Sequence, residues 1–277
     1  METRNILLYC AIKFHGNWNK IYNFIHGQRE SDEKLEFDEK LEFDEKEALD
    51  LISKNTNKFI TILDEEYPES LRNAWKPPFV LFYQGDISLL SDQNKKMAVV
   101  GSRKYSDYGK EMTQKLVSGI SKHFVIVSGL AIGIDTIAHK TAIDSGGKTI
   151  AVLGNGINYH YIEENKEVFE EIKKNHLVIS EYPGDEPVDR KYFPIRNRII
   201  AGLSDSLLVT EGKIRSGTQI TAFLMSNKNG EVCCVPTKAG EDSICNHLIK
   251  EGAFLVETPE DIFESVGLKV EQPVFEK

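Results

Sequence analysis

Apolar residues along this chain come in two arrangements. Up to about residue 60 they recur at roughly helical spacing, Ile6, Leu7, Leu8 and Ile12, then Trp18, Ile21, Tyr22, Phe24 and Ile25, with the turn His15-Gly16-Asn17 between them. From Leu63 the pattern changes. A connecting segment (Asp64 to Pro68, then Pro77-Pro78) leads into the strand-like run Phe79-Val80-Leu81-Phe82-Tyr83. Short β-rich apolar runs then alternate with helical stretches: Met97 to Val100, Phe124 to Val127, Thr149 to Leu153, Leu177 to Ile179, Leu207 to Thr210, Val232 to Val235 and Phe254 to Val256. Strands apolar on both faces and separated by one helix each predict a parallel sheet covered on both sides. The expected architecture is doubly wound α/β over residues 63–277, preceded by a small helical N-terminal domain over residues 1–62.

Within the N-terminal unit a hexapeptide repeats: Asp32-Glu33-Lys34-Leu35-Glu36-Phe37, the same six residues at 38–43, and Asp44-Glu45-Lys46 opening a third copy. Six residues turn a helix through about 600°, so Leu35 and Leu41 fall on different faces and build no apolar stripe. This acidic repeat (32–46) reads as a duplicated linker or helix end. It also dominates the charge. The chain carries −9 over 277 residues, and residues 30–50 hold 11 Asp/Glu against 3 Lys, a net of −8. The rest is therefore close to neutral and has room for basic patches, such as Arg190, Lys191, Arg196 and Arg198, a stretch without an acid.

In a doubly wound sheet the loops after the strands emerge along one edge, where ligands bind. Here those loops read Gly101-Ser102-Arg103, Ser128-Gly129-Leu130-Ala131-Ile132-Gly133, Gly154-Asn155-Gly156 followed by Tyr159, Ser180 to Gly184, and the basic turn Lys213-Ile214-Arg215-Ser216-Gly217-Thr218. Glycines allow close backbone approach, helix N-termini offer unpaired donors, and arginine forks match phosphate oxygens. An isolated arginine can equally be a solvated residue or a partner of Glu181 or Glu211. Four of them, Arg103, Arg196, Arg198 and Arg215, at loops of one edge point to a polyanion, and single-stranded DNA fits best. Arg196 and Arg198 lie on different sides of a helix, which suits one of them to anchoring the core.

Other chemistries find little support. Gly129-x-x-x-Gly133 is not a dinucleotide fingerprint, Gly146-Gly147-Lys148-Thr149 precedes a strand where a P-loop follows one, and no GxSxG or HExxH motif occurs. Cys10, Cys233, Cys234 and Cys245 form no CxxC pair and read as buried reduced thiols, so no metal or other cofactor is expected. The longest nearly uncharged apolar stretch, Phe124 to Ile134, is too short to cross a bilayer, and no signal peptide is apparent; a cytoplasmic protein is expected.

The chain resembles the DNA-processing protein A (DprA/Smf) family over roughly residues 60–265. The likeness rests on Val100-Gly101-Ser102-Arg103, on Val127-Ser128-Gly129-Leu130-Ala131-x-Gly133-Ile134-Asp135-x-x-Ala138-His139, on Ser180-Glu181-Tyr182-Pro183-Gly184, on Phe193-Pro194-x-Arg196-Asn197-Arg198-Ile199-Ile200-Ala201-Gly202-Leu203-Ser204, on Arg215-Ser216-Gly217-Thr218-x-Ile220-Thr221-Ala222 and on Asn246-x-Leu248-Ile249-x-Glu251-Gly252-Ala253. The resemblance implies a Rossmann-like domain that binds single-stranded DNA without sequence preference, forms homodimers, and protects and delivers incoming DNA to the RecA recombinase in natural transformation. It implies DNA contacts by Gly101, Ser102, Arg103, Gly129, Gly133, Tyr159, Arg196, Asn197, Lys213, Arg215, Ser216, Gly217 and Thr218. A dimer surface would take in His247, Leu248, Phe254 and Leu255.

Departures from the family pattern are Tyr161-Ile162-Glu163 in place of Tyr-Pro-Lys, a loose match over the first 60 residues, and no expected winged-helix extension. The alternative is a related Rossmann-like phosphoribohydrolase of nucleoside monophosphates. Thr221 stands where those enzymes carry a glutamate, and a hydroxyl cannot do the carboxylate's work, so no enzyme activity is expected. A protein-binding adaptor is the third reading.

Overall fold

The computed structural model describes residues 1–26, 43–159 and 162–269. Two copies of the hexapeptide repeat, together with His160 and Tyr161, lie outside the described residues, apart from Phe43. The third copy begins α3 (Glu45–Lys54): Asp44 caps it by accepting from the amides of Lys46 at 2.9 Å and Glu47 at 3.1 Å.

Before it come α1 (Thr3–Lys13) and α2 (Trp18–His26). Leu7, Leu8, Tyr9, Cys10 and Ala11 of α1 are all buried, so this helix has little solvent face. It packs with Ile21, Ala48, Val80, Phe82, Leu130, Leu153 and Val178, joining the helical unit and the sheet in one cluster. The strand β1 (Lys58–Thr61) pairs antiparallel with β2 (Val80–Gly85). Nothing in the local pattern of Lys58-Phe59-Ile60-Thr61 marks it, because a four-residue edge strand is defined by its partner. The short helix α4 (Glu69–Arg72) lies in the connection.

The remaining elements are β3 (Lys96–Gly101), α5 (Asp107–Ile120), β4 (Val125–Ser128), α6 (Ile134–Asp144), β5 (Thr149–Leu153), α7 (Lys166–Asn175), β6 (Leu177–Ser180), α8 (Tyr192–Leu203), β7 (Ser206–Glu211), α9 (Gly217–Asn227), β8 (Glu231–Cys234), α10 (Ile244–Lys250), β9 (Phe254–Leu255) and α11 (Pro259–Ser265). Nine strands form one sheet in the order β1-β2-β6-β5-β4-β3-β7-β8-β9. From β6 to β9 every pairing is parallel, and β2 alone runs against its neighbours.

The apolar runs become strands because both faces are covered. Val100, Val127, Val152, Ile179 and Val209 meet Ile199, Ile200, Leu203 and Ala222 of α8 and α9. Met97, Val99, Ile126 and Leu208 meet Met112, Leu116, Val117, Ile120, Ala138 and Ala142 of α5 and α6 on the other side. The doubly wound, mostly parallel α/β expectation agrees with this arrangement. All four cysteines are buried free thiols, and among the described residues no helix is long and apolar enough to cross a membrane.

Candidate nucleic-acid interface

Chain order reverses between β3 and β7. From β3 the crossovers step to β4, β5 and β6, while from β7 they step the other way to β8 and β9. Such a switch point opens a crevice at the carboxyl ends of the two strands, and Gly101 and Glu211 face one another there. The chain crosses this place as α8.

Three residues of α8, at i, i+3 and i+4, share one face and touch the surrounding loops. Phe193 carries the Arg103 guanidinium 5.1 Å from its ring centroid. Arg196 Nη1 donates to the carbonyls of Gly129, at 2.7 Å, and Val152. Asn197 Nδ2 donates to the Gly217 carbonyl at 3.2 Å. One helical face thus gathers the ends of β3, β4, β5 and β7. Between them lies a pocket of about 140 Å³ lined by Arg103, Gly129, Leu130, Ala131, Ile132, Leu153, Gly154, Asn155, Tyr159, Ile162, Phe193 and Arg196.

The glycines have separate reasons. A Cβ at Gly129 would lie 2.4 Å from Arg196 Nη2, so only glycine lets the guanidinium reach the loop. Gly133 has φ +96°, and a Cβ there would meet the Ser102 carbonyl at 2.4 Å. The next amide, Ile134 N–H, donates to that carbonyl at 3.1 Å and ties the β4 loop to the β3 loop. Gly129 N–H donates to Asp135 Oδ2 at 3.1 Å. Burial pushes the Asp135 carboxyl up, against the pull of Arg196 and of the Ala131 and Gly129 amides.

Arg103, Lys213 and Arg215 are exposed, and none has an ion pair among the described residues. Arg215 takes φ +61° while its amide donates to Gln219 Oε1 at 2.9 Å, which turns the loop into α9. Ser216 takes the N-cap position of that helix without a side-chain capping bond, and Gly217 and Thr218 form its first turn, whose amides need outside acceptors. Glu211, the acid nearest this turn in sequence, is occupied by Ser106: its Oε2 accepts from the amide at 2.9 Å and from the hydroxyl at 3.0 Å.

Two arginines behave unlike surface cations. Arg196, expected on the rim, is buried beneath it. Arg198 is the core anchor: Nη2 pairs with Glu181 Oε1 at 2.6 Å, and Nε donates to the Lys76 carbonyl at 2.9 Å. Burial raises the Glu181 carboxyl, and Arg198 draws it back down. Tyr159 stands at the pocket mouth, 38% exposed. Phe193, Asn155 and the Leu130-Ala131-Ile132 run were not picked out by residue type. Phe193 opens the conspicuous Phe193-Pro194-x-Arg196-Asn197 stretch, and that position was its one signal.

His247 pairs with Glu251 at 3.2 Å, Leu248 is half-buried, and Phe254 and Leu255 are exposed on β9, the sheet's far edge. Thr221 is buried, and its hydroxyl donates to the Gly217 carbonyl at 3.3 Å. Among the described residues no group of three or more His, Cys, Asp or Glu is placed to hold a metal ion.

Known proteins are similar to this chain in sequence and fold. DNA processing protein DprA of Streptococcus pneumoniae is 44% identical over 216 residues, 76% of this chain and 76% of its own length. That of Bacillus subtilis is 39% identical over 210 residues, 75% of this chain and 70% of its own. The crystal structure of the S. pneumoniae protein superposes with a TM-score of 0.76 at 34% identity, over 96% of this chain and 94% of that one. DNA processing protein A from Helicobacter pylori, solved to describe its single-stranded DNA binding mode, gives 0.67 at 28% identity, over 77% of this chain and 97% of that one. A family model for DNA recombination-mediator protein A matches residues 58–267, and the chain belongs to that family.

Proposed function

We propose that this protein binds single-stranded DNA without regard to sequence, protects it, and hands it to a RecA recombinase during natural transformation. The observation that supports the reading is that Arg103, Lys213 and Arg215, exposed and without ion pairs among the described residues, lie on the loops after the neighbouring strands β3 and β7, which one face of α8 holds at the switch point. A sugar-phosphate strand laid along that rim meets guanidinium forks, an ammonium and the free amides of α9's first turn. Tyr159 and the pocket beside it accept a base by stacking, which is indifferent to base identity. Relatives that carry DNA processing in their names, one of them with a described single-stranded DNA binding mode, support the same reading.

A homodimer through the β9 edge, with Phe254 and Leu255 at its centre and His247 and Leu248 beside them, belongs to the proposal, as does a cytoplasmic location. An exposed apolar edge strand is costly unless something covers it. No catalytic step is included: Thr221 offers no carboxylate, and adenine release from AMP is not expected.

The test is a gel-shift titration of single-stranded against double-stranded DNA of the same length, with Arg103→Ala and Arg215→Ala beside the parent protein. Preference for the single strand and loss of affinity in both variants, with melting temperature unchanged, are expected. Unchanged affinity in both variants would move the arginines to an acidic protein partner.

A further inference from the structure

A second group of rings lies on the N-terminal unit. Trp18, Tyr22 and His26 occur at i, i+4 and i+8 of α2 and share a face. Trp18 stacks on Tyr22 with centroids 4.9 Å apart, Tyr22 stacks on His26 at 4.2 Å, and Trp18 also stacks on Phe79 at 5.4 Å. The Lys76 ammonium lies 5.0 Å from the Trp18 ring and 5.1 Å from that of Trp75. Core burial does not explain the group. Ile21 and Phe24 already supply the inward side of α2, while Tyr22 is 41% and Trp75 63% exposed.

The neighbouring turn is held in place at some cost. Lys76 adopts φ +50°, which a non-glycine residue avoids, and its carbonyl accepts from buried Arg198. Trp18 Nε1 donates to the Pro77 carbonyl at 2.8 Å. In this acidic chain, residues 3–26 contain no Asp or Glu. Arg4 and Lys13 are paired with Asp64 and Glu47, which leaves Lys20 and Lys76 without ion pairs among the described residues.

We infer that this face is a second stacking platform for the bases of the same strand, where the DNA continues after leaving the rim. The inference rests on the function proposed above. Stacked rings with an interleaved cation, on a stretch that carries no carboxylate of its own over residues 3–26, are the chemistry of sequence-tolerant base binding. Continuity comes from α8. Its Phe193 and Asn197 border the rim, its Arg198 reaches the Lys76 turn, and Ile195 is exposed on its first turn. A helix is about 10 Å across, a span of a few nucleotides.

Trp18 and Trp75 are the chain's two tryptophans, so intrinsic tryptophan emission reports on this face alone. The protein is titrated with oligothymidylates of about 6 and about 20 nucleotides, one near the short end of common single-strand site sizes and one beyond them. Binding is followed in parallel by the anisotropy of a dye on the oligonucleotide. Both lengths bind, and the longer one alone quenches the emission strongly. Trp75→Ala weakens the longer oligonucleotide by about tenfold, leaves the shorter unchanged, and keeps the parent melting temperature, because the removed ring is largely solvent-exposed.

Binding of the longer oligonucleotide with no change in emission would overturn the platform and leave the rim standing. So would an equal loss at both lengths in Trp75→Ala, or an emission change on diluting the protein without DNA, which would assign the face to self-association. Failure of both oligonucleotides to bind would bring down the rim and the platform together.

Discussion

Gly129→Ala isolates the contact that builds the rim. No positive φ applies at Gly129, so an alanine is strained there only by space. Its Cβ would sit 2.4, 2.5 and 2.6 Å from Nη2, Nη1 and Cζ of Arg196. Ordinary contact needs about 3.5 Å, so the guanidinium has to retreat by about 1 Å. Nη1 now donates to the Gly129 carbonyl at 2.7 Å; that retreat carries it beyond hydrogen-bond range, and its bond to Val152 is strained as well. Each charge-assisted bond contributes about 1.5–3 kcal/mol, while the stiffer unfolded chain returns up to about 1 kcal/mol. The net loss is about 2–5 kcal/mol, a fall in Tm of about 5–15 °C for a protein of this size. Urea unfolding of the parent, Gly129→Ala, Arg196→Met and the double variant completes the cycle, because a flexible methionine yields to the new methyl group. A Gly129→Ala protein within about 0.5 kcal/mol of the parent, or a cost unchanged in the Arg196→Met background, would refute the account.

Arg198→Leu leaves Glu181 buried without its cation and costs about 3–5 kcal/mol, whereas Arg198→Leu with Glu181→Leu recovers most of that; urea midpoints of the three proteins decide it. His139 is buried with Nδ1 donating to Thr149 Oγ1, and burial drives its pKa from 6.5 down to about 3, so the folded protein keeps it neutral. Its contribution to stability is complete above pH 6.5 and falls by about 1.4 kcal/mol per pH unit as the pH drops toward 3, since only the unfolded chain takes up the proton there. Asp135 and Glu181, both raised by burial, act oppositely just above the normal carboxylate range, where protonation favours the folded form. Urea midpoints at pH 6.5 and 5 for the parent and His139→Gln separate the terms: the variant has the shallower fall.

Six of the seven parallel strands, β3 to β8, were legible because each carries an apolar run buried on both faces, which leaves no other pattern; β9 is apolar but exposed at the edge. Loop chemistry at their ends was legible for the same topological reason. The spacing of Arg196 and Arg198 also showed that a single helix points them apart, and Glu181 was a foreseeable partner for such a residue. The depth of Arg196 was not legible, because it depends on a gap left by Gly129, 67 positions earlier in the chain. The role of Phe193 is not legible for a related reason: a phenylalanine on a helix reads as core until its ring is seen under Arg103. For Trp18 and Tyr22 of α2, periodicity gives the face on which residues lie and not whether that face is covered.

Burying two guanidinium groups in one helix is expensive unless every donor finds a partner, and a leucine would fill either space more cheaply. What a leucine cannot do is fix the direction of a distant main chain. Arg196 holds carbonyls 67 and 44 positions back, and Arg198 holds one 122 positions back together with the Glu181 carboxylate. Through these bonds α8 sets the strand-end loops on one flank and the Lys76 turn on the other. Their charge is spent inside the protein and is not available to release counterions from DNA. The exposed Arg103, Lys213 and Arg215 are in the opposite position. With a short oligonucleotide confined to the rim, replacing any one of these three by alanine should flatten the log–log salt slope of binding by about 0.7. Arg196→Met should weaken binding through loosened loops while leaving that slope as it was. A slope that flattens in Arg196→Met as much as in Arg103→Ala would put the buried guanidinium on a phosphate after all.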